Sequence, residues 1–262
     1  MKKKIFFISD LHGNYTDTIK CLKNKGYNEN NENHLIVVLG DIFDRGQENL
    51  EVYEWLYKAT KDKKAIVTNG NHHKFFIDFL EGSINPFNYI HNGMDTTIGD
   101  FWHRTRPFES WCLLEDKCDI DNYNYARWAK KCRNDIKREY PELLGWLKSL
   151  PEYFESENYI GVHASLDLKV PDWHYPHCFR HTLVDWEALH FDDGNFFTQQ
   201  NTTGKNLVLG HFSTSELRRI YGVGDADDHS ILKTEDNKYF IDTCTILTNK
   251  VNVLVVEDYL LD

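Results

Sequence analysis

The consecutive apolar residues Ile5-Phe6-Phe7-Ile8 show no polar alternation, the pattern of a strand covered on both faces. From Asn14 to Lys25 the spacing changes, with Tyr15, Ile19 and Leu22 at helical intervals, Asn14 placed to cap the first turn and Gly26 to end the last. Leu35 to Leu39 predicts a second strand. Gln47 to Ala59 predicts a second helix, with Leu50, Tyr53 and Leu56 or Tyr57 on its inward stripe, and Ala65 to Thr68 a third strand. The alternation β-α-β-α-β predicts an α/β fold with helices laid on a sheet.

From about Phe75 to Pro151 the pattern changes: Trp102, Trp111, Trp128 and Trp146 lie among polar residues and no strand-like run occurs. This stretch predicts a mainly helical insertion, at its widest about 75–155. Short apolar runs then return at Tyr159 to Val162, Asn206 to Leu209, Ser230 to Lys233, Tyr239 to Ile241 and Val251 to Val256, predicting a second, largely antiparallel group of strands. There is no internal repeat, and the only biased tract is an Asn-rich turn from Asn28 to Asn33. A chain of 262 residues is long enough to bury a substantial core, and one domain over 1–262 is expected.

Composition narrows the class. Hydrophobic residues at 41%, charged at 27% and aromatic at 14% describe a globular protein. A formal charge of −11 argues against extensive nucleic-acid binding, which relies on Lys and Arg neutralising several phosphates. After Met-Lys-Lys-Lys only the short run Ile5 to Ile8 precedes Ser-Asp, much less apolar than a signal-peptide core, and no stretch approaches the roughly 20 apolar residues of a membrane span. A cytoplasmic location without membrane contact is expected. Cys21, Cys112, Cys118, Cys132, Cys178 and Cys244 form no CxxC pair, so reduced thiols are expected rather than a zinc ribbon or redox motif.

The candidate chemistry sits at the ends of the apolar runs. Five of them lead at once into residues able to bind a hard or borderline metal: Asp10 and His12, Asp41, Asn71 and His72, His163, and His211. Ligands in open α/β sheets gather beyond the carboxyl ends of strands, so these distant residues are expected to converge. Glycines flank them at 13, 40, 46, 70, 161 and 210, where sharp turns and close backbone approach are expected.

The blocks Ser9-Asp10-Leu11-His12-Gly13, Gly40-Asp41-Ile42-Phe43-Asp44-Arg45-Gly46 and Gly70-Asn71-His72-His73, then Val162-His163-Ala164 and Gly210-His211-Phe212, resemble the phosphoprotein phosphatase superfamily of dinuclear metallophosphoesterases in its compact bacterial and phage form. The middle block matches GDxxDRG at every fixed position, and the likeness covers most of the chain outside the insertion. It implies an α/β/β/α sandwich of two mixed sheets flanked by helices, with the insertion over part of the cleft. It also implies two divalent metal ions, one held by Asp10, His12 and Asp41 and the other by Asp41, Asn71, His163 and His211. Manganese is the expected metal, and the O and N ligands also admit iron, zinc or nickel. The implied reaction is phosphate-ester hydrolysis by a metal-bridging hydroxide, with His72 as general acid, Asp44 orienting it, and Arg45, Asn71 and His72 touching the substrate.

Departures from the family pattern separate the functional readings. Ser9 replaces a Gly outside the ligand shell, and His73 stands where Glu is usual. Within Val184-Asp185-Trp186-Glu187-Ala188, Ala188 takes the place of a second phosphate-binding Arg, with Arg180 a nearby candidate substitute. Asp242-Thr243-Cys244 resembles the family's Asp-Thr-Gly and bears on fold more than function. The intact Asp44-Arg45 turn favours a Ser/Thr protein phosphatase-like enzyme acting on phosphoproteins. His73, the missing Arg and the aromatic insertion favour a hydrolase of nucleotides or dinucleoside polyphosphates such as diadenosine tetraphosphate. A non-catalytic phosphate-binding scaffold is the third reading, opposed by the complete ligand set; Ser213, where nucleases and cyclic phosphodiesterases of the wider group carry a second His, disfavours those.

The remaining candidates read as structural. His34, His91, His103, His174, His177, His181, His190 and His229 lie outside the matching blocks, and the insertion's tryptophans are expected in the core rather than as a stacking platform. Asp225, Asp227 and Asp228 lack the closing Glu of a calcium-binding EF-hand and are expected in a solvated loop.

Overall fold

Ile5 to Ile8 lie in strand β1 (Lys2–Ser9), and their side chains leave it alternately towards two different layers. Phe6 and Ile8 enter a core shared with helices, whereas Ile5 and Phe7 enter one shared with a second sheet. Both faces of the strand are therefore dry, which is why it lacks polar alternation. The computed structural model describes residues 1–83, 92–103, 122–168, 174, 179–180 and 196–261, with the backbone alone at 103, 122–125, 179 and 180.

β1 pairs in parallel with β2 (His34–Leu39), and β2 in parallel with β3 (Ala65–Thr68). On its other side β1 pairs antiparallel with β11 (Leu254–Tyr259), giving the order β11-β1-β2-β3. The second sheet has the order β4-β5-β8-β10-β9, from β4 (Tyr153–Glu155), β5 (Tyr159–Val162), β8 (Asn206–Leu209), β9 (Leu232–Lys233) and β10 (Lys238–Phe240). A short antiparallel pair, β6 (Ser165–Leu166) and β7 (Phe179–Arg180), stands apart. The helices are α1 (Tyr15–Asn24), α2 (Asn49–Lys61), α3 (Asn71–Glu81), α4 (Met94–His103), α5 (Asn122–Glu139), α6 (Leu143–Lys148), α7 (Thr214–Tyr221) and α8 (Thr245–Thr248).

Three cores separate the layers. Over the outer face of the first sheet, Phe6, Ile8, Ile36 and Val38 meet Leu56 of α2, Phe76 of α3, Phe101 of α4, Ile136 of α5 and Trp146 of α6. Between the sheets, Ile5, Phe7, Val37 and Leu39 meet Phe154, Val208 and Ile241. Beyond the second sheet, Ile160, Val162, Leu207 and Leu209 pack with Leu217 of α7. These layers form the α/β/β/α sandwich of two mixed sheets.

Three sequence expectations change. The later strands are not a separate, largely antiparallel group: β5, β8 and β10 run parallel at the centre of their sheet, and antiparallel pairing is confined to its edges. The last strand joins the first sheet, because Val251 and Val253 are drawn into the helical core and deliver β11 alongside β1. The insertion ends before 155, since Phe154 of β4 is pulled between the sheets with its ring 5.5 Å from that of Phe7. At its other limit, helix starts at Asn71, so Phe75 lies inside α3 rather than at a boundary.

Helix starts are set by contacts that a local reading misses. α2 begins at Asn49 rather than Gln47 because Glu48 N–H donates to the Gly13 carbonyl at 2.9 Å and Asn49 Nδ2 to that of Gly46 at 2.8 Å. Asn14 precedes α1 without capping it by its side chain, which donates instead to the carbonyls of Leu11 and His12 at 3.0 and 2.9 Å. Glu48, remote in sequence, accepts the Thr16 N–H at 2.8 Å in its place.

Gly161, expected in a turn, lies within β5 and faces the first sheet. An added Cβ would sit 2.7 Å from Leu39 Cδ2 and 3.2 Å from Phe7 Cε1. Gly161→Ala is therefore expected to cost about 1–3 kcal/mol, the usual penalty for overpacking a close-packed core, read as a lower urea midpoint at unchanged m.

Trp102, Trp128 and Trp146 are buried, the first donating Nε1–H to Asp135 at 3.1 Å and the last to Thr60 at 3.1 Å. His34 Nδ1 accepts the Asn28 N–H, His229 Nδ1 lies 2.9 Å from the Thr243 carbonyl, and His174 is exposed beside Glu155. Asp228 closes its own loop by accepting the Ser230 N–H and hydroxyl, each at 2.8 Å. Cys21, Cys132 and Cys244 are free thiols. Trp111, Cys112, Cys118, Cys178, His91, His177, His181, His190, the segment 184–188 and the side chains of His103 and Arg180 lie outside the described residues. Among the described residues, no helix is long and apolar enough to cross a membrane.

Candidate active site

Asp10 follows β1, Asp41 follows β2, Asn71 follows β3, His163 follows β5 and His211 follows β8, so the carboxyl ends of strands from both sheets meet at one place. They surround an open cleft of ≈ 230 Å³ whose walls include Asp10, His12, Asp41, Arg45, Asn71, His72 and His211. Phe75, Asn92, Ser213, Glu216, Asp242 and Cys244 complete its lining. Ser9 is buried beside Gly210, and His73 is buried with its ring 6.0 Å from that of Phe43; neither lines the cleft.

The turns that deliver these residues are strained at the functional side chains themselves. Asp10 (φ 52°), His12 (44°), Asp41 (45°), Asp44 (75°), Arg45 (72°) and His211 (63°) all occupy the left-handed region, which costs a non-glycine residue on the order of 1 kcal/mol or more. Gly13 and Gly40 share that conformation, as expected. Gly70 and Gly210 serve differently, by leaving room: a Cβ on Gly210 would strike the Asp10 carboxylate, and one on Gly70 would lie 2.5 Å from Asp41 Oδ1.

Two histidines have their inner nitrogens held by main chain. His12 Nδ1 is 2.8 Å from the Phe43 carbonyl and His163 Nδ1 is 2.9 Å from the Leu39 carbonyl, contacts only a protonated Nδ1 can make. Each ring thus presents Nε2 to its neighbours. His163 Nε2 lies 3.1 Å from Asp41 Oδ2, 3.0 Å from Asn71 Oδ1 and 3.2 Å from His211 Nδ1. Asp41 Oδ1 accepts the His72 N–H at 3.0 Å, and Asp10 Oδ2 accepts the His211 N–H at 2.8 Å.

Donor atoms gather in two groups with all members within 4.8 Å of one another, His12, Asp41 and His72 in one and Asp41, His163 and His211 in the other. Asp41 belongs to both. Asp10 stands in the same cleft outside either trio, and Asn71 reaches the second group through its amide oxygen. Carboxylate and imidazole donors with the far imidazole nitrogens fixed by carbonyls suit a divalent cation.

At the lip, His72 Nδ1 is 2.6 Å from Asp44 Oδ2, and Arg45 Nη2 is 3.5 Å from His72 Nε2. The Asp–His contact is short for a charge-assisted hydrogen bond. It holds the ring with Nε2 turned into the cleft.

Buried charge makes the field of the cage. Burial and the neighbouring Asp242 and Asp41 charges push Asp10 well above the usual carboxylate range. Burial pushes Asp242 up to about 6, partly offset by the Cys244 N–H and by Arg45. Burial also raises Asp41, but the charges of His163 and His72 outweigh it and hold the group well below its ordinary value. For His163 burial disfavours the imidazolium, yet Asp41 and Asp10 overcome this and place it at about 9. His12 is held well below its ordinary value by burial and by Arg45. Crowded carboxylates of this kind favour cation binding.

Asp242 is the site residue that the sequence pattern undervalues, because Asp242-Thr243-Cys244 bears there on the fold. It lines the cleft because Thr214 N–H donates to its carbonyl at 2.9 Å and Cys244 N–H to its Oδ1 at 2.7 Å, turning the carboxylate towards the cage. Its place after the β10 run is the available signal, the same rule that locates the other five positions.

The fold and donor set define a metal-binding α/β/β/α protein with an arginine at its cleft. The chain belongs to the calcineurin-like phosphoesterase family, which it matches over residues 3–242. The family implies divalent metal ions, in agreement with the five blocks read from the sequence. Similar curated proteins include a bis(5'-nucleosyl)-tetraphosphatase PrpE (asymmetrical) from a Geobacillus species, 29% identical over 121 residues, covering 44% of this chain and 47% of that protein. A protein of the same name from Oceanobacillus iheyensis is 32% identical over 104 residues, covering 37% of this chain and 40% of the relative. The matched stretches thus span less than half of either relative. A solved structure provisionally assigned as a diadenosine tetraphosphatase superposes over 98% of this chain and 94% of its own, with a TM-score of 0.51 at 12% identity, a likeness of fold.

Proposed function

We propose that this chain is a metal-dependent phosphoester hydrolase acting in the cytoplasm on nucleotide polyphosphates of the dinucleoside type. The observation that carries the catalytic reading is the sharing of Asp41 by two donor groups, with the His72–Asp44 pair and Arg45 facing the same cleft. Asp10, His12 and Asp41 would hold one divalent ion, and Asp41, Asn71, His163 and His211 the other, with manganese first among the candidate metals. When bound, such ions polarise the phosphoryl group and acidify an attacking water.

The side chains account for the rest. Arg45 offers a fork of donors to the phosphoryl oxygens, and Asn71 lines the same cleft. His72 delivers a proton from Nε2 to the leaving oxygen while Asp44 retains the proton on Nδ1. The strained turns at Asp44 and Arg45 keep both groups aimed before substrate arrives. A single catalytic domain over 1–262 is part of this reading, supported by the core shared between the two sheets.

The dinucleoside substrate is supported by the names of the curated relatives, proteins described as bis(5'-nucleosyl)-tetraphosphatases. A phosphoprotein substrate is the second reading, favoured by the Asp44-Arg45 turn. Manganese-loaded protein is expected to show the higher kcat/KM on a dinucleoside tetraphosphate than on phosphoserine peptides. The reverse order would transfer the site to the second reading. Failure to turn over either substrate or p-nitrophenyl phosphate at full metal occupancy would leave a phosphate-binding scaffold.

Metal binding is expected to depend on pH in a definite direction. In the metal-free protein His163 is raised to about 9, so below that pH it carries a proton that a cation must displace. Apparent affinity for manganese should fall as pH drops below about 9, by up to about tenfold per unit for one displaced proton. Titration calorimetry in two buffers of different ionisation enthalpy checks this by counting the protons released near neutral pH.

A further inference from the structure

The insertion reaches the candidate site through the first turns of α4, and it does so at Asp44, the carboxylate hydrogen-bonded to His72 Nδ1. Asp44 is fully buried and both its oxygens are engaged: Oδ2 lies 2.6 Å from His72 Nδ1, and Oδ1 receives the hydroxyl hydrogen of Thr97. The same hydroxyl accepts the Asp44 backbone N–H at 2.9 Å. One side chain from α4 therefore holds both the carboxylate and the main chain of a residue at φ 75°.

Neighbouring groups of α4 extend the hold. Gly93, just before the helix, accepts the Arg45 N–H at 3.0 Å, and its own backbone comes so close that a Cβ there would lie 2.6 Å from Arg45 N. Asp100, three residues after Thr97 and on the same helical face, accepts the Asn49 N–H and Nδ2–H, each at 2.8 Å. Asn49 Oδ1 in turn accepts the Asp44 N–H at 2.8 Å.

We propose that Thr97 is a positioning residue for the reaction, acting through Asp44 on the proton donor His72. A fully buried hydroxyl is costly unless its hydrogen-bonding roles are used, and here Asp44 serves as both donor and acceptor to it. Without the hydroxyl, Oδ1 loses its donor and the carboxylate turns more freely about its terminal torsion, so the His72 ring loses its fixed direction. The inference rests on the reading of the site as a phosphoester hydrolase in which His72 protonates the leaving oxygen. Its signature is dependence on the leaving group, because a good leaving group departs without a proton.

The test compares wild type, Thr97→Val and Thr97→Ser as full-length, manganese-loaded proteins on phenyl phosphate and p-nitrophenyl phosphate, with metal content measured for each. Thr97→Val keeps the shape and removes the hydroxyl; kcat on phenyl phosphate is expected to fall roughly 10–100-fold, a part of the full loss of a general acid, with KM and manganese content little changed. On p-nitrophenyl phosphate the loss should stay within about threefold. Thr97→Ser should restore most of the phenyl phosphate rate. The ratio of the two rates does not depend on how much of a variant is folded, so partial misfolding leaves it readable. Equal losses on both substrates, an unchanged ratio, or failure of Ser to rescue would overturn the assignment of Thr97 while leaving the hydrolase reading intact. Absence of wild-type turnover on both aryl phosphates and on a dinucleoside tetraphosphate would instead overturn the hydrolase reading, and this inference with it.

Discussion

Asp41→Asn is expected to deplete both metal ions and abolish turnover in one step. Asp41 is the only residue common to the two donor groups among the described residues, and each of its oxygens already faces a partner, Oδ1 the His72 N–H and Oδ2 the His163 Nε2. An asparagine keeps the shape but replaces one acceptor by an NH₂ group and removes the negative charge that two cations would share. It also removes the neighbouring charge that does most to raise His163. Loss of an outer-shell partner alone costs about 10–100-fold in metal affinity, so loss of a shared ligand should exceed that for both ions. Elemental analysis after gel filtration should show little bound manganese, and kcat/KM should fall in parallel. Retention of two equivalents of metal would refute the shared-ligand role.

His72→Asn is expected to separate what Asp41→Asn removes together. The His72 ring is held by Asp44 at 2.6 Å, with Nε2 3.8 Å from Asp41 Oδ2 and 3.5 Å from Arg45 Nη2. It is therefore near enough to the cage to be grouped with His12 and Asp41, yet its Nδ1 is held by Asp44 and its Nε2 also faces Arg45. If its task is proton delivery, the variant keeps nearly all its metal and loses roughly 10²–10⁴-fold in kcat, the range for removal of a general acid. If it is a ligand, metal content falls as in Asp41→Asn. Parallel metal analysis of the two variants decides between these roles.

Both predictions use residues visible in the sequence, and the reason for their visibility is geometric. A ligand placed at the end of a buried strand is preceded by an apolar run and flanked by glycine, because the strand must be dry and the turn must be tight. Asp10, Asp41, Asn71, His163 and His211 all follow an apolar run, with glycine directly before Asp41, Asn71 and His211, and the strands before Asn71, His163 and His211 end where the pattern places them, at Thr68, Val162 and Leu209. The glycine pattern is informative only in part. At Gly70 and Gly210 the need is room for a carboxylate, and at Gly161 it is room for the opposite sheet, neither of which is a property of the local chain.

Thr97, Asn49 and Asp100 leave no comparable trace, since a threonine inside a helix carries no signal of the carboxylate it will meet 53 positions away in sequence. The same holds for Glu48 serving the first turn of α1, 32 positions distant, and for the transfer of the last strand to the first sheet.

The order of apolar runs and the chemistry at their ends were thus determined by sequence alone, because burial on both faces and tight turns impose residue types locally. Which sheet a strand joins, and which hydroxyl steadies the His72–Asp44 pair, were decided only when the layers packed. Those outcomes depend on side chains far apart in the chain coming within hydrogen-bond reach, and no local pattern encodes that distance.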